Sequence, residues 1–275
     1  MSAVFGLRLA GGREVGVKAR EDDGRAASCV AAQTRLADRG FPCPRPLTPA
    51  LRVGALAVHA EEFRPGGDLL RGDSPDVAAR CAAVFARLMA ELSDVTVTPP
   101  LPNPRWVRWD HPGPGLWPAI KFLDDRDQDA VPAFVVDVAV RVRERLLAAD
   151  LPCVLGHADF EAQNLRWREG DVWAVHDWDS LGWQPEAALV GAACGAFASA
   201  SPPTLAPVGS SAAFLEVYQD LRGRGFSAEE REVAWAASLW PAAHNARWEA
   251  VHGDEPVCGA AVRAQAAERL RLANA

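Results

Sequence analysis

A histidine, an aspartate and an asparagine stand close together in the segment HADFEAQN. They are His157, Asp159 and Asn164, and four residues separate the aspartate from the asparagine. In phosphoryl-transfer enzymes this spacing marks a loop whose aspartate accepts the proton of the attacking hydroxyl and whose asparagine binds Mg²⁺. The spacing therefore predicts Asp159 as a catalytic base and Asn164 as a metal ligand.

A second aspartate and an early lysine extend this pattern. The segment VWAVHDWD places Asp177 at the end of an apolar strand, 13 residues after Asn164. Mg²⁺ takes few protein carboxylates together with phosphate oxygens and water, so Asn164 and Asp177 form a suitable donor set. Lys18 ends the run VGVK and is one of two lysines in the chain. A lysine that ends a strand in this pattern holds the phosphates of a nucleotide.

The elements that must position these residues fall into two parts. Residues 4–9 and 14–19 alternate apolar and polar side chains on either side of Gly11-Gly12, which predicts a β-hairpin. The breaker run RPGG, at 64–67, is expected to end the β-rich part. We therefore predict an N-terminal lobe of residues 1–64 and a C-terminal lobe of residues 65–275.

Helical patterns dominate the C-terminal part. Ser74-Pro75 is a good cap and first-turn pair for a helix, and SAEE at 227–230 matches a capping box. Two short strands are expected to flank the HADFEAQN segment. The helices are expected over 25–38, 75–92, 133–150, 229–250 and elsewhere from Pro185 onward, and the strands over 51–63, 153–155 and 165–175, with a loop over 94–131.

Composition excludes several classes of protein. The 275 residues carry a formal net charge of −7, whereas nucleic-acid binding needs clustered positive charge. No apolar run reaches the length of a membrane span, and the opening residues lack a signal pattern. The six cysteines are scattered without a Cys-x-x-Cys pair, which is typical of reduced thiols. We therefore expect a cytoplasmic protein without a nucleic-acid or membrane partner.

The chain resembles the aminoglycoside phosphotransferase and choline kinase-like group of small-molecule kinases. The matching stretches are REVGVKAR, GFPCPRPL, EEFRPGG, GHADFEAQN and VHDWDSLGWQPEAAL. The resemblance implies an α+β, two-lobed protein-kinase-like fold with a small β-rich N-lobe and a larger, mostly helical C-lobe. It also implies ATP or GTP in the cleft, contacts to that nucleotide from Glu61, Glu62 and Phe63 near the hinge, and a role for His157 in orienting the catalytic loop.

The chain departs from the family pattern in its N-lobe. The family usually has a further strand and a glycine-rich loop before the strand that begins here at Val4, so the lobe looks truncated at its start. Gly11-Gly12 or the terminus would then cover the phosphates. The predicted helix over 25–38 contains no glutamate to pair with the lysine. Asp22, Asp23 or Gln33 would have to take its place.

The acceptor is expected to be a small molecule. Only seven residues lie between Asp177 and the expected helix start at Pro185, whereas a protein kinase needs a long segment there to dock a peptide. Tryptophans suit the face of a sugar or nucleobase, although aromatic residues at helical spacing also form protein cores. The candidate acceptor-binding residues are Asp179, Trp240, His244 and Trp248.

These observations predict transfer of the γ-phosphoryl group of a Mg²⁺-bound nucleoside triphosphate to a hydroxyl group. The expected acceptor is an antibiotic, such as an aminoglycoside, a nucleoside or a similar sugar-containing compound, and the expected role is resistance. The alternatives are a catalytically degenerate kinase fold that only binds a ligand, and a kinase of choline, an amino alcohol or a sugar. A metal-dependent phosphohydrolase built on His157, Asp159, His176 and Asp177 is a further alternative, which would leave the lysine and the asparagine without a role.

Overall fold

A four-stranded antiparallel sheet and one helix form the N-terminal lobe. The structure is a computed structural model that describes residues 3–97 and 101–275. The expected hairpin is observed, with Val4 opposite Lys18 and Gly12 in the turn at φ 82°. The elements are β1 (Ala3–Arg8), β2 (Glu14–Glu21), α1 (Ala26–Asp38), β3 (Leu51–Val53) and β4 (Leu56–Glu62), and the strand order in the sheet is β1-β2-β4-β3.

One face of this sheet is polar although it is buried. Side chains alternate between the two faces of a strand, so Lys18 and Arg20 of β2 share a face. His59 lies opposite Lys18 on β4, and Glu61 lies opposite Gly16. Lys18, Arg20, His59 and Glu61 are each less than 9% exposed. The sheet therefore directs charged groups toward the rest of the molecule.

The C-terminal lobe is mostly helical, and its predicted helix starts are confirmed. The hydroxyl of Ser74 accepts a hydrogen bond from the backbone of Val77, and Ser227 and Glu230 form the capping box. No helix within the two described ranges is long and apolar enough to cross a membrane. The helices are α2 (Pro75–Leu92), α3 (Lys121–Asp124), α4 (Ala133–Leu147), α5 (Glu186–Ala196), α6 (Val208–Arg222), α7 (Ala228–His252) and α8 (Val257–Ala273), and the strands are β5 (Cys153–His157), β6 (Leu165–Arg168), β7 (Asp171–Val175) and β8 (Leu181–Pro185).

Three local predictions need correction. The strand expected over 165–175 is a hairpin of β6 and β7, because Glu169 and Gly170 adopt positive φ and reverse the chain. The sequence pattern missed β8, which pairs antiparallel with the distant β5. The loop expected over 94–131 contains the short helix α3, and its residues 98–100 lie outside the described residues. The boundary between lobes at 64–65 stays a prediction.

Two glycines allow α5 to pack closely on α7. A Cβ atom on Gly191 would lie 2.1 Å from the carbonyl oxygen of Ala234, and one on Gly195 would lie 2.4 Å from that of Ser238. Both distances are far below van der Waals contact, and the obstructing atoms belong to the backbone of α7. The approach of the two helices therefore requires glycine at both positions. The α5–α7 pair forms the centre of the helical lobe.

We expect Gly191→Ala to lower the free energy of unfolding by about 1–3 kcal/mol or more, because the added methyl group would force the two helices apart. The matched control is Gly209→Ala, an exposed glycine in the first turn of α6 with no atom within 4 Å of its added Cβ. That control should keep or slightly raise the stability, since alanine favours helix. Urea unfolding of the three proteins measures both effects, and equal shifts in the two variants would contradict the packing argument.

Candidate active site

The sequence-predicted catalytic residues converge at the ends of two short sheets. β5 ends at His157, the loop after it carries Asp159, and Asn164 immediately precedes β6. One residue separates Asp177 from the end of β7, and Asp177 adopts the left-handed conformation, with φ 60° and ψ 51°. This conformation is uncommon for a residue other than glycine and concentrates at functional sites. Asp159, Asn164 and Asp177 are all partly exposed, whereas His157 is buried.

The ring of His157 connects the loop that carries Asp159 to the segment that carries Asp177. Its Nε2 donates to the carbonyl oxygen of His176 at 3.1 Å, and its Nδ1 accepts from the backbone N–H of Asp159 at 3.2 Å. A carbonyl can only accept and a backbone N–H can only donate, so this pattern requires the neutral imidazole. Burial lowers the pKa of His157, which favours the same neutral form. His157 therefore fixes the position of the loop that carries Asp159 relative to the segment that carries Asp177.

Asn164 fixes the carboxylate of Asp159. The amide nitrogen of Asn164 donates to the backbone oxygen of Asp159 at 2.9 Å and to its Oδ2 at 3.3 Å. The backbone oxygen of Asn164 accepts from His176 at 2.8 Å, which ties the loop again to the strand that precedes Asp177. Asp177 accepts a hydrogen bond from the hydroxyl of Ser180 at 2.6 Å and lies within hydrogen-bonding reach of Asp159.

A third carboxylate, missed by the sequence analysis, lies beside the candidate base. Burial raises the pKa of Asp159 well above its usual value, and the nearby carboxylates of Glu161 and Asp177 raise it further. Burial likewise raises the pKa of Glu161 to about 7, although Gln163 donates to it at 2.6 Å. The only sequence signal was the position of Glu161, two residues after Asp159. The site thus concentrates negative charge that a cation would stabilise.

The donor chemistry fits a hard divalent cation. The amide nitrogen of Asn164 is used within the loop, so its side-chain carbonyl oxygen is the atom that would bind a metal. With a carboxylate oxygen of Asp177 this gives two protein oxygens, a number typical of Mg²⁺ sites completed by phosphate and water. Within residues 3–97 and 101–275 there is no group of three or more His, Cys, Asp or Glu side chains that could hold a metal ion.

Lys18 has a different partner from those expected from the sequence. Its ammonium nitrogen lies 3.4 Å from Oε1 of Glu61, and both side chains are buried. Gln33 of α1 donates to Oε2 of the same carboxylate at 2.9 Å and to the backbone oxygen of Pro44 at 2.7 Å. The carboxylate that pairs with Lys18 thus belongs to Glu61 of β4, and α1 contacts it through the side-chain amide of Gln33. Gln33 was one of the expected partners, but the negative charge beside Lys18 is that of Glu61.

The remaining hinge candidates lie at the end of β4. Glu62 is half-buried and accepts a hydrogen bond from the backbone of Arg45 at 3.3 Å. Phe63 follows the strand and is 47% exposed. Their predicted contact with a nucleotide stays a prediction, as does that of Glu61.

Two arginines join the N-lobe to the segment after Asp177. Arg20, on the same face of β2 as Lys18, forms a buried ion pair with Asp179. Arg25, just before α1, donates to the backbone oxygens of Asp179 at 2.9 Å and of Leu181 at 3.4 Å. These contacts hold β2, the strand of Lys18, against the segment that follows Asp177. Asp179, a candidate for acceptor binding, lies in this junction and is 4% exposed.

The other acceptor-binding candidates lie on α7. Trp240 and His244 are buried and pack around Trp117, with ring centroids 5.6 Å and 6.2 Å from it. Trp248 stacks on His252 at 4.3 Å, on a more exposed part of the helix. The structure brings Trp240 and His244 together and leaves Trp248 outside that group. Their contact with an acceptor remains a prediction.

A small β-sheet lobe above a helical lobe, with a lysine on one side and an Asp–Asn–Asp set on the other, defines a protein-kinase-like phosphotransferase. A family model described as the phosphotransferase enzyme family, APH, matches residues 15–224. The chain therefore belongs to this family. This confirms the resemblance inferred from the motifs and the two-lobed fold class. A comparison with curated proteins finds no match.

Solved structures show the same fold at low sequence identity. One is amicoumacin kinase hAmiN in complex with AMP-PNP, Ca²⁺ and Ami, with TM-score 0.63, 14% identity and coverage of 99% of this chain and 85% of that one. A thermostable mutant of aminoglycoside phosphotransferase APH(4)-Ia, in ternary complex with AMP-PNP and hygromycin B, has TM-score 0.59, 15% identity and coverage of 98% and 90%. A choline/ethanolamine kinase family protein from Mesorhizobium loti has TM-score 0.54, 19% identity and coverage of 98% and 88%.

We expect His157→Phe to lower the free energy of unfolding by about 1–3 kcal/mol at pH 8, because the backbone groups of Asp159 and His176 lose their partner. The difference from the wild type should shrink as the pH falls below 6.5. The folded chain keeps His157 neutral because its pKa is lowered, whereas the unfolded chain binds a proton, so protonation lowers the stability of the wild type alone. Urea unfolding between pH 5 and 8 measures this, and a difference independent of pH would contradict a buried neutral His157.

Proposed function

We propose that this protein transfers the γ-phosphoryl group of a nucleoside triphosphate, ATP or GTP, to a hydroxyl group of a small molecule. The observation that carries the proposal is the carboxylate of Asp159, held by Asn164 and adjacent to Asp177. Family membership and the nucleotide complexes of hAmiN and APH(4)-Ia support it.

One residue of the chain binds the nucleotide phosphates, and another accepts the proton of the acceptor. Lys18, oriented by Glu61, binds oxygens of the nucleotide phosphates. Asp159 orients the acceptor hydroxyl and accepts its proton while the phosphoryl group is transferred. Because the transition state is loose, catalysis consists mainly of positioning and of stabilising charge. His157 contributes by fixing the position of Asp159 relative to Asp177.

Asn164 and Asp177 would hold Mg²⁺. When bound, Mg²⁺ neutralises phosphate oxygens and favours the ionised forms of the crowded carboxylates. This effect matters for Asp159, because a base must be ionised before it can accept a proton, and burial opposes its ionisation.

The acceptor that we propose is a hydroxyl-bearing antibiotic or a similar sugar-containing compound, with resistance as the biological role. The names of the structural neighbours include amicoumacin, hygromycin B and choline/ethanolamine, which share a hydroxyl group. The short connection from Asp177 to β8 also favours a small acceptor over a peptide. An amino alcohol, choline or sugar kinase is the alternative for the same site.

We expect Asp159→Asn to reduce turnover by on the order of 10²–10⁴-fold while nucleotide binding is retained, because only the proton acceptor is lost. Asp129→Asn, in an exposed turn, is the matched control and should keep wild-type turnover. Consumption of nucleotide in the presence of a panel of hydroxylated antibiotics measures turnover, and calorimetry measures binding. Wild-type turnover in Asp159→Asn would overturn the assignment of the base. Binding without product for any nucleotide and acceptor would favour the degenerate kinase fold.

We expect Glu61→Gln to weaken nucleotide affinity roughly tenfold, because Lys18 loses the charge that orients it. The neutral side chain keeps its shape and can still contact Gln33, so folding should be retained. Glu14→Gln, at the exposed start of the same strand as Lys18, should leave nucleotide affinity unchanged. Titration with AMP-PNP and Mg²⁺ compares the three proteins, and equal affinities would exclude this role of the ion pair.

A further inference from the structure

A serine three residues after Asp177 holds both the side chain and the backbone of that aspartate. The hydroxyl of Ser180 donates to Oδ2 of Asp177 at 2.6 Å, and the backbone N–H of Ser180 donates to the backbone oxygen of Asp177 at 3.0 Å. Ser180 is fully buried, whereas Asp177 is partly exposed. We call residues 177–181 the Asp177 turn.

The backbone conformation of Asp177 requires support from its surroundings. Its φ of 60° and ψ of 51° are left-handed, which is unfavourable for a residue with a Cβ atom. Such a residue keeps this conformation only where neighbouring contacts hold it. The bonds from Ser180 are contacts of this kind, and the indole of Trp178 adds another by donating to the backbone oxygen of Val175 at 2.9 Å.

Arg25 holds the peptide groups on both sides of Ser180. Its Nη1 donates to the backbone oxygen of Asp179 at 2.9 Å and to that of Leu181 at 3.4 Å. A guanidinium nitrogen of this kind carries two N–H bonds, so it can serve both oxygens. Arg25 is buried, although it lies just before α1 in the other lobe. The N-lobe therefore restricts the residues that flank Ser180.

The loop that carries Asp159 holds the peptide group between these two. The backbone N–H of Ala158 donates to the backbone oxygen of Ser180 at 2.8 Å. Three successive carbonyl oxygens of the Asp177 turn thus accept hydrogen bonds from other segments, and Arg25 supplies the donor for two of them. Ser180 is the residue on which these contacts converge.

An exposed carboxylate orients Arg25. Oδ2 of Asp23 accepts from Nε of Arg25 at 2.8 Å, and Oδ1 accepts from the backbone N–H of Arg25 at 3.1 Å. Asp23 was one of the residues expected to pair with Lys18, but the structure pairs it with Arg25. Its charge compensates that of the buried guanidinium group. The direction of Arg25 is therefore set before it contacts the Asp177 turn.

Helix α1 contacts both sides of the candidate site. Arg25 precedes its first residue, and the helix packs against the turn that follows Asp177. Gln33, two turns further along α1, donates to the carboxylate of Glu61, which pairs with Lys18. A shift of α1 would therefore move the partner of the lysine and the turn of the aspartate together.

We propose that Arg25 and Ser180 are positioning residues for Asp177 as a metal ligand. Arg25 fixes the Asp177 turn, and Ser180 fixes the carboxylate within it. Side chains that hydrogen-bond a metal ligand orient that ligand and strongly affect metal affinity. This inference rests on the proposed function, because it assigns the support of the same metal site.

Amide hydrogen exchange of the free chain tests the role of Arg25. In Arg25→Met we expect the amide of Ser180 to exchange about tenfold faster, because the turn loses hydrogen bonds from a charged donor. Arg143→Met is the matched control, since Arg143 of α4 also donates to two backbone oxygens, at 2.7 Å and 3.2 Å. The control should leave the exchange of Ser180 unchanged. Equal exchange rates of this amide in the two variants overturn the proposal.

A second variant decides the question if Arg25→Met does not fold. Asp23→Ala removes the exposed partner that orients Arg25, so it should accelerate exchange of the Ser180 amide in the same direction. Wild-type exchange of that amide in Asp23→Ala then overturns the role of Arg25.

Nucleotide titrations test the role of Ser180. The gain in AMP-PNP affinity when Mn²⁺ replaces EDTA measures the contribution of the metal site. We expect Ser180→Ala to reduce this gain about tenfold and to leave the affinity in EDTA unchanged, because only the orientation of Asp177 is lost. Ser211→Ala, which removes another fully buried hydroxyl that donates to a backbone oxygen at 2.8 Å, should keep both affinities. An unchanged gain in Ser180→Ala, or an equal reduction in Ser211→Ala, overturns the proposal.

Failure of this inference is distinguishable from failure of the proposed function. Because neither test contains an acceptor, a chain that passes both tests but phosphorylates no acceptor retains the inference and loses the function. A chain that phosphorylates an acceptor, and whose Ser180→Ala variant keeps the full gain from Mn²⁺, retains the function and loses the inference.

Discussion

The geometry of the candidate site depends on one buried imidazole. His157 accepts from the backbone of Asp159 and donates to the backbone of His176, so a single rigid ring sets the distance between the candidate base and the segment that carries Asp177. The two partners require the neutral tautomer that has its proton on Nε2, and burial lowers the pKa of His157, which favours the neutral ring. The geometry of the candidate site thus follows from backbone contacts that do not require either carboxylate to be bonded to the other.

Ion pairs make the two lobes one structure. The inward face of the N-lobe sheet carries Lys18 and Arg20, of which Lys18 pairs within the lobe and Arg20 pairs with Asp179 of the C-lobe. A buried ion pair is costly to desolvate and adds little net stability, but it selects one relative position of its partners. Here the selected position holds the strand of Lys18 next to the segment that follows Asp177.

Buried charged groups are held in different ways in the two lobes. In the N-lobe, Glu61 from the sheet supplies the charge that orients Lys18, and Gln33 joins α1 to that pair without adding a second charge. In the C-lobe, Arg247 of α7 donates to Asp124, and Glu249 accepts from backbone N–H groups of α8. In both lobes, hydrogen bonds and ion pairs fix the direction of the charged side chain.

The sequence alone determined the features that depend on residues near one another in the chain. The caps at Ser74 and Ser227, the N-terminal hairpin and the spacing from Asp159 to Asn164 are local, and each was recognised from side-chain type and interval. Tertiary structure alone decided the pairing of β8 with β5, the ion pair of Lys18 with Glu61 and the burial of Glu161. Those features join segments distant in the chain, and no local pattern encodes which buried charge meets which partner. Contacts between distant elements form only when the chain folds. Local propensity and periodicity therefore do not reveal which of these residues will pair.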